Sequence, residues 1–515
     1  MARVHLPNLP AELIVIILIG LDVQDLHSVS QSCGRLRALL LENRGIWAKA
    51  PSIHLLPLPM GETIHTVPLE LIPRLAARAV DIQRAWDNAS GPSEPKSCHI
   101  VDSVALYDTF DLDGTAGHFE LLCILPGSEW IIIKIGDATY DGLAQILVYS
   151  IETGIYAPIC HGAPASHAPC YDITIIEKDI LFACTLWSRE NGAHQIFLTV
   201  FRLSLDHDTS PSVHMLWQKE LESSHPITQI VWFGNLLFCQ VGNVNNSFHL
   251  IDWQRDCGLH FPTEAGHSDP RSLQAHPFLP LIIYRCGNPF GAQKKVHRVV
   301  ALELPTTLPA MKASAPWLKA SLEETSLESV AKTSSWSISQ KRDPKMTHNF
   351  FGPVTNMPSD RHDGIAFCNL VESYRSTPPK VVVKRLYWNN EKHSLELVFD
   401  KGPREEYPTP VHLRLSNRLF STKDEHGSLV AYQSEENLFL LLQFGSFNDP
   451  SGFRFARVQA PPLPRHSASP KGHGHDRRFK RVDFAHGRLY YETWLDVFDA
   501  DGEKSFCKTI ACIQY

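Results

Sequence analysis

Cys160-His161 and His167-x-x-Cys170 place two thiols and two imidazoles in one short stretch, the donor types that zinc prefers. Their spacing matches no common zinc module, and Pro164 and Pro169 point to an irregular loop. His473-x-His475-Asp476 offers a second group of donors, but Gly472 and Gly474 interleave it and it reads as a solvated loop. The cationic run that follows, Arg477-Arg478-Phe479-Lys480-Arg481, has the charge to bind phosphate or to serve as a weak nuclear signal; its default reading is a solvated face. The chain has no phosphate-cradling glycine loop, no dinucleotide fingerprint and no Gly-x-Ser-x-Gly elbow. Its scattered Asp, His and Ser residues assemble into no triad by spacing. No catalytic residue, metal site or cofactor is therefore assigned, and the chemistry to look for is that of association.

That chemistry is clearest in residues 9–21, Leu-Pro-Ala-Glu-Leu-Ile-Val-Ile-Ile-Leu-Ile-Gly-Leu. Asn8 is a reasonable N-cap, Pro10 suits a first turn and Glu12 lies near the positive end of the helix dipole. Leu13, Ile14, Ile17, Leu18 and Leu21 form one stripe at helical spacing, while Val15, Ile16 and Ile19 carry apolar surface around the rest. A helix apolar all round is either buried in a large core or shared with a partner. Asp22 can cap a second helix carrying Val23, Leu26 and Val29. Ser30 or Ser32 can cap a third, carrying Cys33, Leu36, Leu39 and Leu40 and running past Gly45 to Ile46 and Trp47. Three short helices bury too little surface to stand alone, so the unit is expected to complete its core against another protein. The entrance Pro10 and Glu12, with Asp22 and Asp25 behind, argue against a signal peptide, and the run is too short to span a membrane.

In order, Leu9-Pro10-x-Glu12-Leu13-Ile14-x-x-Ile17-Leu18-x-x-Leu21-Asp22-x-x-Asp25-Leu26-x-x-Val29-Ser30-x-Ser32-Cys33-x-x-Leu36-Arg37-x-Leu39-Leu40 and the closing Ile46-Trp47 closely resemble the F-box. The one departure is Leu36-Arg37, where many members carry a tryptophan after the cysteine. The resemblance implies a helical module that docks on the Skp-type adaptor of a cullin–RING (SCF-type) ubiquitin ligase, the rest of the chain recruiting a substrate protein. It implies adaptor contacts at Leu9, Pro10, Glu12, Ile17, Leu18, Leu21, Leu26, Val29, Cys33 and Leu36. Leu13, Ile14, Leu39 and Trp47 would pack the three helices together.

The composition is compatible with this. The chain has 515 residues, 43% hydrophobic and 20% charged, with a net charge of −7 that favours neither nucleic acid nor an anionic membrane. Its 12 cysteines show no close pairing, which reads as reduced thiols in a cytoplasmic or nuclear protein. Residues 51–68 form a Pro-rich connector. Residues 69–88 read as a linking helix with the stripe Leu71, Leu75, Ala79, Ile82 and Trp86, closed by Asn88-Ala89-Ser90-Gly91-Pro92.

From residue 97 the period changes. Roughly two dozen short β-rich runs, from Leu121–Leu125 through Val411–Leu415 to Thr509–Tyr515, alternate with Gly, Pro, Asn and Asp clusters, and almost no helix intervenes. This gives an α+β chain in three parts: helices to residue 50, a connector to 96 and a large all-β domain over 97–515. The domain is read as a degenerate WD-repeat-like propeller of six to eight blades. Trp130, Trp232 and Trp253 are expected in its core. Residues 306–346, partly helical around 310–330, and 459–480 are read as excursions. Closure requires the strand near His99–Leu106 to share a sheet with Lys508–Tyr515. The linking helix and the Leu-Pro-Gly…Trp strand at 125–130 also resemble fungal F-box proteins with a propeller-like C-terminal region. Two other readings stay open: an F-box scaffold that delivers no target, and a propeller hydrolase with an incidental helical module.

Overall fold

Ile14 and Leu18, one turn apart, are fully buried, and around them the first helices form a closed core. In the computed structural model these are α1 (Ala11–Leu18), α2 (Val23–Ser32), α3 (Gly34–Glu42) and α4 (Arg44–Ala48). The structure describes residues 6–515 apart from Pro51, residues 87–94 and connecting segments of the β region, of which 352–364, 398–406, 409–418 and 460–477 are the longest. A further helix, α5 (Ile72–Trp86), follows a 3-10 turn at Leu69–Leu71. Leu56, Val67, Ile72, Ala76 and Ala79 join Ile14, Leu26, Leu40 and Trp47 in one cluster. The helical core thus extends beyond residue 50 and uses α5 as a wall, where the sequence suggested a separate connector and strut.

Capping is less local than the sequence suggested. Asp22 occupies the N-cap of α2, yet its side chain makes no capping bond; the Val23 N–H donates instead to Ser52 Oγ at 2.9 Å. The expected cap Asn8 gives way to Pro10, and α3 starts from Cys33. Ser30 and Ser32 donate back to the carbonyls of His27 and Val29 within α2. The third helix also breaks at Asn43, so Ile46 and Trp47 reach the core from a short fourth one.

Seven sheets then succeed one another along the chain. The first holds His118–Ile124, Trp130–Gly136, Leu143–Ser150 and Tyr156–Pro164; the second holds Tyr171–Ile176, Asp179–Glu190, Ala193–Ser204 and Ser212–Leu221. The third comprises Ile227–Phe233, Leu236–Val241, Ser247–Asp252 and Cys257–Pro262, with Glu323–Glu324 added in parallel. The fourth comprises Arg271–Ala275, Leu281–Gly287, Val296–Glu303 and Thr333–Ser339. Met346–Phe351, Ile365–Tyr374, Lys380–Asn389 and Ser394–Leu397 build the fifth, and Leu419–Ser421, Leu429–Gln433, Leu438–Phe444 and Phe453–Gln459 the sixth. In the seventh, Arg478–Asp483, Arg488–Phe498 and Lys504–Gln514 are completed by Ser97–Ile100 from the other end of the region.

Each of the first six sheets is built on a four-strand antiparallel meander in chain order, and the seventh on a three-strand one completed by Ser97–Ile100, the layout of a propeller blade. Short turns make this possible. Phe233 and Leu236 pair directly across Gly234-Asn235, with Gly234 at φ +53°, a backbone state that suits a two-residue hairpin. Apolar cores lie between the first and second sheets, the second and third, and the third and fourth. Another joins the seventh to the first through Phe119, Ile131, Tyr490 and Ile510. Trp130, Trp232 and Trp253 are buried as expected.

The expected closure is present in part. His99 pairs with Cys512 and Ile100 with Ala511. The strand stops there, because Asp102 Oδ1 accepts from the Ala105 N–H at 3.0 Å and starts α6 (Ser103–Thr109). The supposed excursion at 306–346 is largely structural. Thr333–Ser339 is the last strand of the fourth sheet, and the only helix described there, α7 (Leu318–Ser321), is a single turn that seats Leu318 and Leu322 in the core between the second and third sheets.

Candidate functional site

The largest exposed apolar side chains of the described residues include four on or beside α1: Ile16 (65% exposed), Ile17 (49%), Leu13 (47%) and Ile19. An eight-residue helix has two faces to spend. Ile14 and Leu18 take the inner one, so Leu13 and Ile17, one position back from each, are rotated to the flank and left in solvent. The core beneath is already complete, and these side chains have no intramolecular use.

The entrance to α1 is anchored. Arg35 on α3 donates to the carbonyl of Pro7 and, at 2.8 Å, to that of Leu9. The guanidinium fork thereby fixes the loop that presents Leu9 and Pro10. Nothing in the local spacing singled out Arg35.

The residues named from the resemblance divide on this surface. Pro10, Glu12 and Ile17 are exposed, and Leu9, Leu21, Val29 and Cys33 are half-buried. Leu18, Leu26 and Leu36 are buried, which removes them from any contact surface; each faces inward because the small module needs them for its own core. Leu13 makes the opposite correction and lies outside, while Ile14 and Trp47 are internal and Leu39 is half-buried. Trp47 is held by its indole N–H, which donates to the Leu40 carbonyl at 3.0 Å. Ile16 and Ile19 complete the exposed surface and carried no motif position.

Cys160 and His161 lie on the strand Tyr156–Pro164, not on a loop, and His161 meets Gln145 Oε1 at 3.2 Å. His167, His473, His475, Asp476 and Arg477 fall outside the described residues, as does Val411–Leu415. Among the described residues no group of three or more His, Cys, Asp or Glu side chains could hold a metal ion, and the described cysteines are free thiols. Arg478 to Arg481 belong to the first strand of the seventh sheet, so that part of the basic run is strand and not loop.

A second concave feature lies where α5 meets the seventh sheet. It is a cleft of about 520 Å³ lined by Arg74 and Arg78 of α5 and by Lys96, His99, Glu152 and Arg488 across from them. No helix among the described residues is long and apolar enough to cross a membrane.

No family model and no curated protein matches this chain. Among solved structures it is similar to the WD40 domain of SCAP from fission yeast, at 9% identity over 77% of this chain and 84% of that one, with a TM-score of 0.35. It is also similar to an oligogalacturonate lyase in complex with manganese, at 9% identity over 78% of this chain and 90% of that one, with a TM-score of 0.38.

Proposed function

We propose that this chain is a non-catalytic substrate-recognition subunit of an SCF-type ubiquitin ligase, working in the cytoplasm or nucleus. In this reading the helical module is an F-box that docks on a Skp-type adaptor. The seven sheets form a seven-bladed ring that presents a target protein. The observation that carries the reading is the exposed row Leu13, Ile16, Ile17 and Ile19 on a module whose core is closed without them. A patch of this kind on a small helical unit is the usual mark of a protein interface. The adaptor contacts proposed are Leu9, Pro10, Glu12, Leu13, Ile16, Ile17 and Ile19, with Arg35 positioning the entrance. The chain's contribution to ubiquitin transfer would be effective concentration and orientation.

The test is co-expression with a Skp-type adaptor followed by size-exclusion chromatography. A one-to-one complex is expected. Deleting residues 1–50 is a poor control, because it would strip half of a core that runs to Ala79. Ile16→Asp with Ile17→Asp is the better one, since both side chains are exposed and the fold is untouched. It should weaken the complex at least a hundredfold, about 2.7 kcal/mol. A wild-type chain that elutes alone, or a variant that binds as well as wild type, would refute the docking surface.

A further inference from the structure

The cleft between α5 and the seventh sheet is built like a receptor for a compact polyanion. Its floor is fixed. Arg488, with its side chain 9% exposed, donates from Nη2 to Glu152 Oε1 at 2.5 Å and from Nε to Gln514 Oε1 at 2.6 Å. Gln514 in turn donates to the carbonyls of His486 and Tyr515. The two carboxylate side chains of the lining are paired, Glu152 with Arg488 and Asp81 with Arg84 at 3.6 Å, and Tyr515, whose main-chain oxygen accepts from Gln514, lies in the same lining.

The rim is different. Arg74 and Arg78 lie one turn apart on the exposed side of α5; His99, on the strand that closes the seventh sheet, and Lys96, just before that strand, line the same cleft. None of these four side chains has an ion pair or hydrogen bond among the described residues. Arg74, Arg78 and Lys96 thus line one cavity with no ion-pair partner of their own among the described residues, in a chain whose net charge is −7. Like charges that line one cavity favour an anion that they can share.

We propose that this cleft binds a soluble oligophosphate, a small ligand carrying at least two linked phosphoryl groups. Two guanidinium forks at (i, i+4) spacing on one helix lie roughly 6 Å apart along its axis. Each can take a phosphoryl group through two parallel N–H···O bonds, with Lys96 as a third point charge. The cleft is deep enough for such a molecule and lies off the α1 surface, so the site does not depend on the adaptor reading. A bound oligophosphate would bridge α5 to the closing sheet and fix the helical module against the β region.

The experiment is isothermal titration calorimetry of the full-length chain with tripolyphosphate at constant ionic strength. Inorganic monophosphate and a phosphoserine peptide are the comparison ligands. Saturable one-to-one binding of tripolyphosphate is expected, at least tenfold tighter than either. Arg74→Ala with Arg78→Ala should weaken it at least tenfold with an unchanged circular-dichroism spectrum and melting point, while Arg37→Ala on α3 should leave it unchanged. The proposal is overturned if tripolyphosphate does not saturate, if monophosphate or the peptide binds as tightly, or if the double variant binds like wild type.

Discussion

His118 begins the first strand of the first sheet, beside the seventh, and its surroundings set its charge. Burial and the ammonium groups of Lys134 and Lys508 push its pKa below the ordinary 6.5, with Glu120 opposing. Lys134 is itself nearly inaccessible, with Glu120 Oε2 at 3.9 Å, and Lys508 is held by Glu492 at 2.9 Å. The sign follows from linkage. Below pH 6.5 the unfolded chain takes up a proton on this imidazole that the folded chain resists, so stability from this group is lost as pH falls through 6.5 toward the depressed folded value. Above 6.5 both states are neutral there and the group contributes nothing. An NMR titration of the ring should give a midpoint below 6.5, and His118→Gln should flatten that part of the pH–stability curve; a midpoint at or above 6.5 would show that the lysines do not act on it. A sequence offers no hint of this group, because its two lysines come from positions 134 and 508.

At the scale of elements, the turn before Arg488–Phe498 is a tight junction between α5 and the β region. Gly487 sits at φ +68°, and a Cβ there would meet Ile82 Cγ2 and the Tyr515 carbonyl, each at 3.2 Å. Nearby, His486 Nδ1 lies 2.9 Å from Asp483 Oδ2, and its Nε2 lies 3.3 Å from the Leu58 carbonyl. Gly487→Ala therefore combines a left-handed backbone with crowding against α5, and should cost about 1–2 kcal/mol. Chemical denaturation should show a lower midpoint; an unchanged midpoint would mean that α5 shifts away freely. The sequence revealed the existence of most elements because inner and middle strands are apolar on both faces. Trp130–Gly136 is buried throughout and Leu236–Val241 nearly so. It did not reveal Tyr156–Pro164, Ser212–Leu221, Cys257–Pro262 or Thr333–Ser339, the fourth strands of the first four sheets, nor Arg271–Ala275 and Met346–Phe351, which open the fourth and fifth. Ser212–Leu221 pairs on one side only, buries only Leu221 and exposes Met215, so it carries little apolar pattern; Cys257–Pro262 buries Leu259, His260 and Phe261, but its Gly, His and Pro break the pattern. The same logic explains the helical module. Spacing identified α1 as too apolar, but which half of its surface turned inward depended on Trp47, Leu56 and Ile72, distant in sequence.

For the whole molecule, the decisive contact joins the two ends of the β region. Ser97–Ile100 supplies the last strand of a sheet whose other three come from residues 478–514. Its hydrogen bonds are supported by packing, since Val101, Leu106 and Tyr107 share a core with Tyr490, Ile510 and Cys512. Thr509 Oγ1 donates to the Val101 carbonyl at 2.6 Å, and Ser103 Oγ lies 3.2 Å from Cys507 Sγ. The ends of the region therefore hold each other through one sheet. The helical core, by contrast, is a separate cluster that shares no residue with this one. Two truncations should therefore behave differently. A chain starting at residue 95 keeps the closing strand and should stay monomeric, with protected amides along Lys504–Gln514. A chain starting at residue 111 loses that strand and α6 together, exposing one side of the segment Ala511 to Gln514. It should exchange those amides at least tenfold faster and tend to aggregate through the open edge. Equal exchange in the two chains would mean that the seam adds nothing to the β region, and equal loss in both would mean that the helices, not the strand, hold its two ends together.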